Sequence, residues 1–315
     1  MILVTGATGF VGRRVVAALA ADGRPVRALV HSASHAHALP VHEGDTVEGD
    51  VLSPATLEEA CEGVDAVIHL VAVIRENGRA TYQDVNHQGT RNILEAAEAA
   101  GVRKFVQAST IGATSDPGIP YLYSRWMAEQ EVERSGVPHT IVRFSVGFGE
   151  GDEFFNTIAA LVKVAPIVPV AGDGKVLFQP IAVEDTATCL VASLDSESLV
   201  GQTIEAGGPV WLTYDEIVDL IAETLDAKVK KLHAPIRLMT AVAALLEAMT
   251  PRPPVTPGQL KMLRGNSTTD VASVETHFGF VPRSPRGNID YIRSIGLADA
   301  MKISLGFMPR KVRDH

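Results

Sequence analysis

The chain opens Met1-Ile2-Leu3-Val4-Thr5-Gly6-Ala7-Thr8-Gly9-Phe10-Val11-Gly12. Ile2 to Thr5 is a short apolar run closed by glycine, the pattern of a buried strand. Val11, Val15, Val16 and Leu19 then repeat at helical spacing. Gly6, Gly9 and Gly12, with two residues between each, therefore fall at a strand–turn–helix junction, where a glycine-rich loop has a physical meaning. The first glycine permits the tight turn, the second lets a pyrophosphate approach the backbone, and the third lets helix pack closely on strand. The first helical N–H groups and the positive end of the helix dipole then face the phosphates. Gly6, Thr8, Gly9, Phe10, Val11 and Gly12 are expected to cradle a dinucleotide. The fold class that follows is α/β: a doubly wound parallel sheet, the Rossmann arrangement.

Composition narrows the setting. The 315 residues are 46% hydrophobic and 21% charged, as in an ordinary globular protein with a full core. A net charge of −9 gives no electrostatic support to a nucleic-acid partner. Cys61 and Cys189 lie far apart in helical patterns and suggest neither a disulfide framework nor a zinc site, which fits a reducing compartment. The strand begins at residue 2 with no cationic leader before it, and the apolar run Leu238 to Leu246 is too short to span a bilayer. A soluble, cytoplasmic protein without a transmembrane segment is expected.

Beyond the first helix, Pro25 to Val30 reads as the second strand. Dinucleotide sites that take NAD usually place an acid about 20 residues beyond the glycine loop, to hold the ribose 2′-hydroxyl. Here His31 and Ser32 stand there, and Arg13 follows the third glycine, where it is either a plain surface residue or a partner for a 2′-phosphate. NADP(H) is therefore favoured over NAD(H). His31, His35, His37 and His42 cluster in sequence, but their Ser/Ala/Pro-rich setting reads as a loop without the rigid support a metal needs, so no metal site is expected. Thr46 to Val51 reads as a third strand, Ser53-Pro54 as a helix start, Gly63 as its stop, and Val64 to Ala72 as a strand covered on both faces. Arg103 to Thr110 and Val137 to Phe144 read as further strands, with helices between.

The wording Gly-Ala-Thr-Gly-Phe-Val-Gly resembles the short-chain dehydrogenase/reductase superfamily, in its extended and atypical branches. Asp84-Val85-Asn86-His87-Gln88-Gly89-Thr90-Arg91-Asn92 is similar to that superfamily's V-N-x-x-G-T-x-N helix, and Tyr121-Leu122-Tyr123-Ser124-Arg125 to its Tyr-x-x-x-Lys helix. The short segment between Thr110 and Tyr121, the strand Gly-Val-Arg-Lys-Phe-Val and the Ala128-Glu129 pair look most like the group related to the nucleotide-binding accessory subunit of mitochondrial complex I. The resemblance covers residues 1 to about 220. It implies that Asp50 and Val51 lie against the adenine and that Leu70, Val71 and Ala72 lie beside the nicotinamide ribose. Asn86 is either a relay or a helix-packing polar residue, and Phe144 takes the place of the usual proline after Arg143. The catalytic hydroxyl is implied at Thr110, with Ser109 second, beside Tyr121 and Arg125.

A tyrosine and a cation at i and i+4 share one helical face and can address one ligand. The phenol titrates near 10, and a fixed positive charge beside it favours the phenolate. In the superfamily a lysine supplies that charge and holds the ribose hydroxyls, and a Ser/Thr orients the carbonyl or alcohol while hydride moves to or from the nicotinamide. Arg125 keeps the charge and the donors, but its planar fork has a different reach and releases no proton.

Residues 1–150 are expected to form the dinucleotide domain, with segments returning near 176–206. Residues 151–315 are expected to form a smaller α/β portion for substrate or partner. Thr213-Tyr214-Asp215-Glu216 is a capping box. Arg237 to Met249 reads as a helix whose face Leu238, Val242, Leu245, Met249 packs on the core, the commoner use of such a face; an apolar pocket and a partner surface are the alternatives. A frayed basic tail follows (Arg310, Lys311, Arg313). Two functions fit: an NADP(H)-dependent oxidoreductase or epimerase-like enzyme acting through Thr110, Tyr121 and Arg125 on a small apolar or isoprenoid-like carbonyl substrate, or a non-catalytic cofactor-binding module. The module would have a protein partner or sit at the periphery of a membrane complex, respiratory or quinone-related. Nucleotide sugars are a third possibility, with Lys163, Lys175, Lys261 and Arg264 as candidate contacts but no diagnostic pattern.

Overall fold

The computed structural model describes residues 1–32, 39, 45–78, 80–250, 253–307, 309 and 312. In chain order the first elements are β1 (Ile2–Thr5), α1 (Phe10–Ala21), β2 (Val26–Val30), β3 (Thr46–Glu48), α2 (Pro54–Cys61) and β4 (Ala66–His69). A π-type helical stretch, Tyr82–Gln88, runs into α3 (Gly89–Ala99); β5 (Lys104–Thr110), α4 (Pro120–Arg134), β6 (His139–Phe144) and β7 (Gly147–Phe148) follow. Then come α5 (Phe154–Val164), β8 (Ile167–Ala171), β9 (Leu177–Phe178), β10 (Ile181–Ala182), α6 (Val183–Asp195), β11 (Gln202–Ala206) and β12 (Leu212–Thr213). The chain continues through α7 (Tyr214–Thr224), β13 (Lys230–Ala234), α8 (Ile236–Met249), α9 (Pro257–Met262), α10 (Ser273–Phe278) and α11 (Leu297–Ser304).

The chain divides into two compact units. One comprises 1–144, 183–206 and 276–279, and the other 145–182, 207–275 and 280–315. The first holds a seven-stranded sheet in the order β11-β6-β5-β4-β1-β2-β3, every pair parallel. The chain winds outward from β1 in both directions, so the order reverses between β1 and β4. In such sheets ligands bind beyond the carboxyl ends of the strands at that point.

Both sheet faces are covered, so successive residues of the central strands are buried on one face and then the other. Leu3, Val67, Phe105 and Ile141 point to the side of α2, α3 and α4 and join Leu57, Ile93 and Val132 in one apolar layer. Their strand neighbours Val4, Ile68, Val106 and Val142 are equally buried on the opposite face, against α1 and α6. In this unit two details depart from the sequence reading. Ser53 precedes α2 as its N-cap, yet its side chain makes no capping bond. The strand expected over 64–72 stops at His69, and the six residues that follow carry no regular structure.

In the second unit α5 packs on α11 and α7, with Phe155, Ile158, Ile217, Ile221, Ile292 and Ile303 among its core. Asp152 caps α5: its Oδ1 accepts from the backbone N–H of Phe155 (2.6 Å) and Asn156 (3.3 Å), and Tyr291 Oη donates to Oδ2. Thr213 and Glu216 form the expected capping box at α7. The face Leu238, Val242, Leu245, Met249 of α8 does not pack on the core. These four side chains are 58%, 45%, 62% and 72% exposed, and Ala243 is the buried residue of the helix.

Candidate active site

The glycine loop is built by contacts that only glycine allows. Gly6 takes φ +71°, and a Cβ there would sit 3.2 Å from both Leu70 C and Val71 N, so the loop after β1 abuts the loop after β4. A Cβ on Gly12 would lie 2.1 Å from the Gly6 carbonyl oxygen, inside any permitted contact. α1 therefore starts hard against the turn. Its N-cap is Gly9, with no capping side chain and no acid in the first turn, so α1 itself places no anion at its positive end. This is the observation by which the loop fits a dinucleotide pyrophosphate.

β2 ends at Val30, and exposed His31 follows it, with Nδ1 3.9 Å from Asp50 Oδ2. Asp50 Oδ1 accepts from Leu52 N (2.9 Å), which ties the turn that carries buried Val51. Arg13 lies in the first turn of α1 and Ser32 just past His31. His35, His37 and His42 lie outside the described residues. Among the described residues no group of three His, Cys, Asp or Glu side chains is placed to hold a metal.

A buried polar chain underlies the loop after β4. His69, fully buried at the end of that strand, meets Thr5 Oγ1 at Nδ1 (2.6 Å) and Thr90 Oγ1 at Nε2 (3.1 Å). Thr90 donates its proton to the Asn86 carbonyl (2.7 Å), so Nε2–H of His69 is the donor to Thr90 and Nδ1 accepts from Thr5. Burial, reinforced by the charge of Arg125, pushes the His69 pKa down to about 3, so the ring stays neutral. Asn86 Oδ1 accepts from Val73 N (2.7 Å), and its Nδ2 donates to Val73 O (3.1 Å) and Ser124 Oγ (3.0 Å). Its amide is thus spent on holding the end of the loop Leu70–Val71–Ala72, and Ser124 in turn bonds the Tyr121 carbonyl (2.7 Å). Sequence reasoning missed His69, Thr5 and Thr90 as a unit. The available signal was a histidine ending an otherwise apolar strand.

Proline at its N-terminus starts α4, and the helix brings Tyr121 and Arg125 onto one face. Arg125 is only 3% exposed; its Nη2 donates to the Ala108 carbonyl, and its Nη1 is buried without a hydrogen-bond partner. An unmatched guanidinium N–H held in this way fits a ribose hydroxyl as acceptor. Tyr121 stacks edge-on against Tyr82, with ring centroids 5.8 Å apart. Burial raises its pKa above the ordinary value and the Arg125 charge lowers it, with burial the larger effect.

Thr110 closes β5 at the carboxyl edge of the sheet, paired with Phe144, and is half-buried. Ser109 points to the opposite face and gives its proton to Glu129 (2.5 Å). Glu129, 1% exposed, also accepts from Arg143 Nε (2.9 Å) and Nη2 (2.7 Å), so this carboxylate clamps α4 to β5 and β6. Of the two hydroxyls at the strand exit, Thr110 is the one not committed to that clamp.

Comparison with known proteins gives the family of the chain. Residues 6–197 match the profile of the NAD(P)H-binding family. The chain belongs to that family. It is 30% identical over 254 residues to a ceramide reductase of Caulobacter vibrioides, covering 79% of this chain and 78% of that protein. It is 28% identical over 258 residues to NADH dehydrogenase [ubiquinone] 1 alpha subcomplex subunit 9, mitochondrial, of Arabidopsis thaliana. That match covers 80% of this chain and 64% of the plant subunit, so the chain spans less than two thirds of that relative. The crystal structure of gox2253 superposes with a TM-score of 0.74 at 24% identity, over 94% of this chain and 99% of that one, which establishes the shared fold.

Proposed function

We propose that this family member is an NADP(H)-dependent reductase of an apolar carbonyl compound, with Tyr121 as the proton donor. The observation that carries the reading is Arg125, buried one helical turn from Tyr121 with Nη1 unmatched. Gly6, Thr8, Gly9, Phe10, Val11 and Gly12 would hold the pyrophosphate. Asp50 and Val51 would lie at the adenine, Leu70, Val71, Ala72 and Phe144 near the nicotinamide, and Arg125 at its ribose; Asn86 contributes by fixing the loop. Arg13, His31 and Ser32, with no acid at the end of β2, favour the 2′-phosphate. The cofactor supplies a hydride.

The chain's own residues do the rest. Thr110 orients the carbonyl, and Tyr121 Oη–H donates to its oxygen as the carbon accepts hydride. The guanidinium of Arg125 stabilises the resulting phenolate until solvent returns the proton. A phenol whose pKa burial has raised is protonated at neutral pH, which suits the reductive direction. The ceramide reductase relative supports an apolar, lipid-like substrate class.

A second reading has its own support. The Ala108 carbonyl already holds one edge of Arg125, and a relative is named as a respiratory-complex subunit, so the site could keep its cofactor without turnover, docked on a partner. The test is NADPH and NADH titration, then consumption with long-chain ketones and aldehydes, in wild type, Tyr121→Phe and Arg125→Lys. The enzyme reading expects consumption that Tyr121→Phe lowers by about a hundredfold or more while NADPH binding is kept. Tight NADPH binding without consumption of any carbonyl by wild type would establish the second reading instead.

A further inference from the structure

α8 is apolar on nearly its whole circumference, and this chain covers one side of it. Met239, Thr240, Ala243 and Leu246 form the inward seam, whereas Leu238, Val242, Leu245 and Met249 face outward at helical spacing. A helix apolar all round is ordinarily buried on all sides or lies against a membrane. The preceding ribbon exposes apolar side chains too. β13 pairs with β8 in parallel, and Leu232 there is 58% exposed and Ile167 49%. An exposed apolar helix face of this kind marks an interaction site.

The charges around the patch select the partner. From Lys228 to the end of α8 at Met249 the chain carries four cations, Lys228, Lys230, Lys231 and Arg237, against one acid, Glu247, in a chain whose net charge is −9. Lys231 turns inward to Asp219 (2.7 Å), leaving Lys228, Lys230 and Arg237 exposed along the β13–α8 segment. An apolar helix face flanked by exposed cations is the pattern of a helix lying in the plane of an anionic lipid interface. A second copy seated on the same face by two-fold symmetry would bring this positive segment against itself. At 14 residues the helix is far too short to cross a bilayer, and no helix among the described residues is long and apolar enough to do so.

We propose that α8, with the exposed edge of β13, is an interfacial anchor that seats this chain on an anionic membrane surface. The proposal does not depend on the nicotinamide reading. The test is co-sedimentation of the full chain with phosphatidylcholine vesicles containing or lacking 30% phosphatidylglycerol. Binding is expected to the anionic vesicles, weaker by roughly five-fold for each cation removed in Lys228→Gln and Lys230→Gln. The pair Leu238→Glu with Leu245→Glu is expected to abolish binding with NADPH affinity unchanged, since both side chains already face solvent. A fluorophore attached through Leu245→Cys should shift to the blue on the same vesicles. No binding to anionic vesicles, or binding that survives the paired Glu substitutions, overturns the proposal. So does concentration-dependent dimerisation lost in those variants while vesicles are ignored, because the occupant is then a second copy.

Discussion

Glu129 offers the sharpest test of how the site is held. Its carboxylate is buried and takes three hydrogen bonds, one from Ser109 and two from Arg143. Removing one partner of a buried ion pair costs about 3–5 kcal/mol, because the other charge is left without compensation. The lower end applies here. Arg143 is 23% exposed and keeps Glu205 within 3.5 Å, so water and a second carboxylate recover part of the loss. Glu129→Ala should therefore destabilise the sheet unit by about 3 kcal/mol. Glu129→Gln, which keeps shape and one acceptor, should cost about 1–2 kcal/mol. Replacing both charges, as in Glu129→Leu with Arg143→Met, should recover most of that cost, since packed apolar groups often match a buried pair.

The assay is urea unfolding by circular dichroism, with amide hydrogen exchange in β5 and β6 to separate this unit from the other. A loss below about 1 kcal/mol for Glu129→Ala, or strict additivity in the double variant, refutes the clamp. Because Glu129 lies one turn beyond Arg125 on α4, the same variant should also weaken NADPH binding, and a fluorescence titration reads that directly.

Two further predictions follow from the same geometry. Gly12→Ala places a Cβ 2.1 Å from the Gly6 carbonyl oxygen, so the turn must open; NADPH affinity should fall at least roughly tenfold by titration, and unchanged affinity would contradict the loop contact. His69 has its pKa depressed to about 3, so between that value and 6.5 the unfolded chain binds the extra proton and stability rises with pH. Stability should drop by about 2 kcal/mol from pH 7 to pH 5 on this account. Asp152, pushed up to about 7 by burial, acts in the opposite sense, so the comparison is with His69→Gln, in which the His69 component disappears. A His69 ring that titrates near 6.5 by NMR would contradict the buried chain.

Much of the fold was legible because its signals are local. The strand Ile2–Thr5, the glycines and the helix of Val11, Val15, Val16 and Leu19 each carry their own periodicity, and parallel strands covered on both faces read as apolar runs. Buried hydrogen bonding was harder to read. Asn86 could be seen as either a relay or a packing group, and only Val73 and Ser124, 13 residues before it and 38 after it, spend its amide. Thr5, His69 and Thr90 meet across 64 and 21 residues, which no window of sequence spans. The face of α8 was misassigned for a related reason. Helical periodicity states which residues share a face, whereas what covers that face is a property of the whole chain and its surroundings.

Arg125 shows how one substitution at a legible motif changes the argument. A lysine at this position would offer one compact ammonium whose donors rotate toward whatever is nearest. The guanidinium is planar, and with Nη2 fixed on the Ala108 carbonyl the direction of Nη1 is set by the covalent fork. The donor is therefore aimed before any ligand arrives, and its cost is a buried N–H left unmatched until then. On the proposed reading a ribose hydroxyl would satisfy this group, which the folded chain leaves open, and that gain would tighten cofactor binding. The same fixed charge depresses His69 and opposes the burial of Tyr121, so one side chain ties the neutral histidine under the loop to the acidity of the phenol. Because a guanidinium does not titrate in the accessible range, a pH dependence of the turnover proposed for this site would not come from the charge of Arg125 itself.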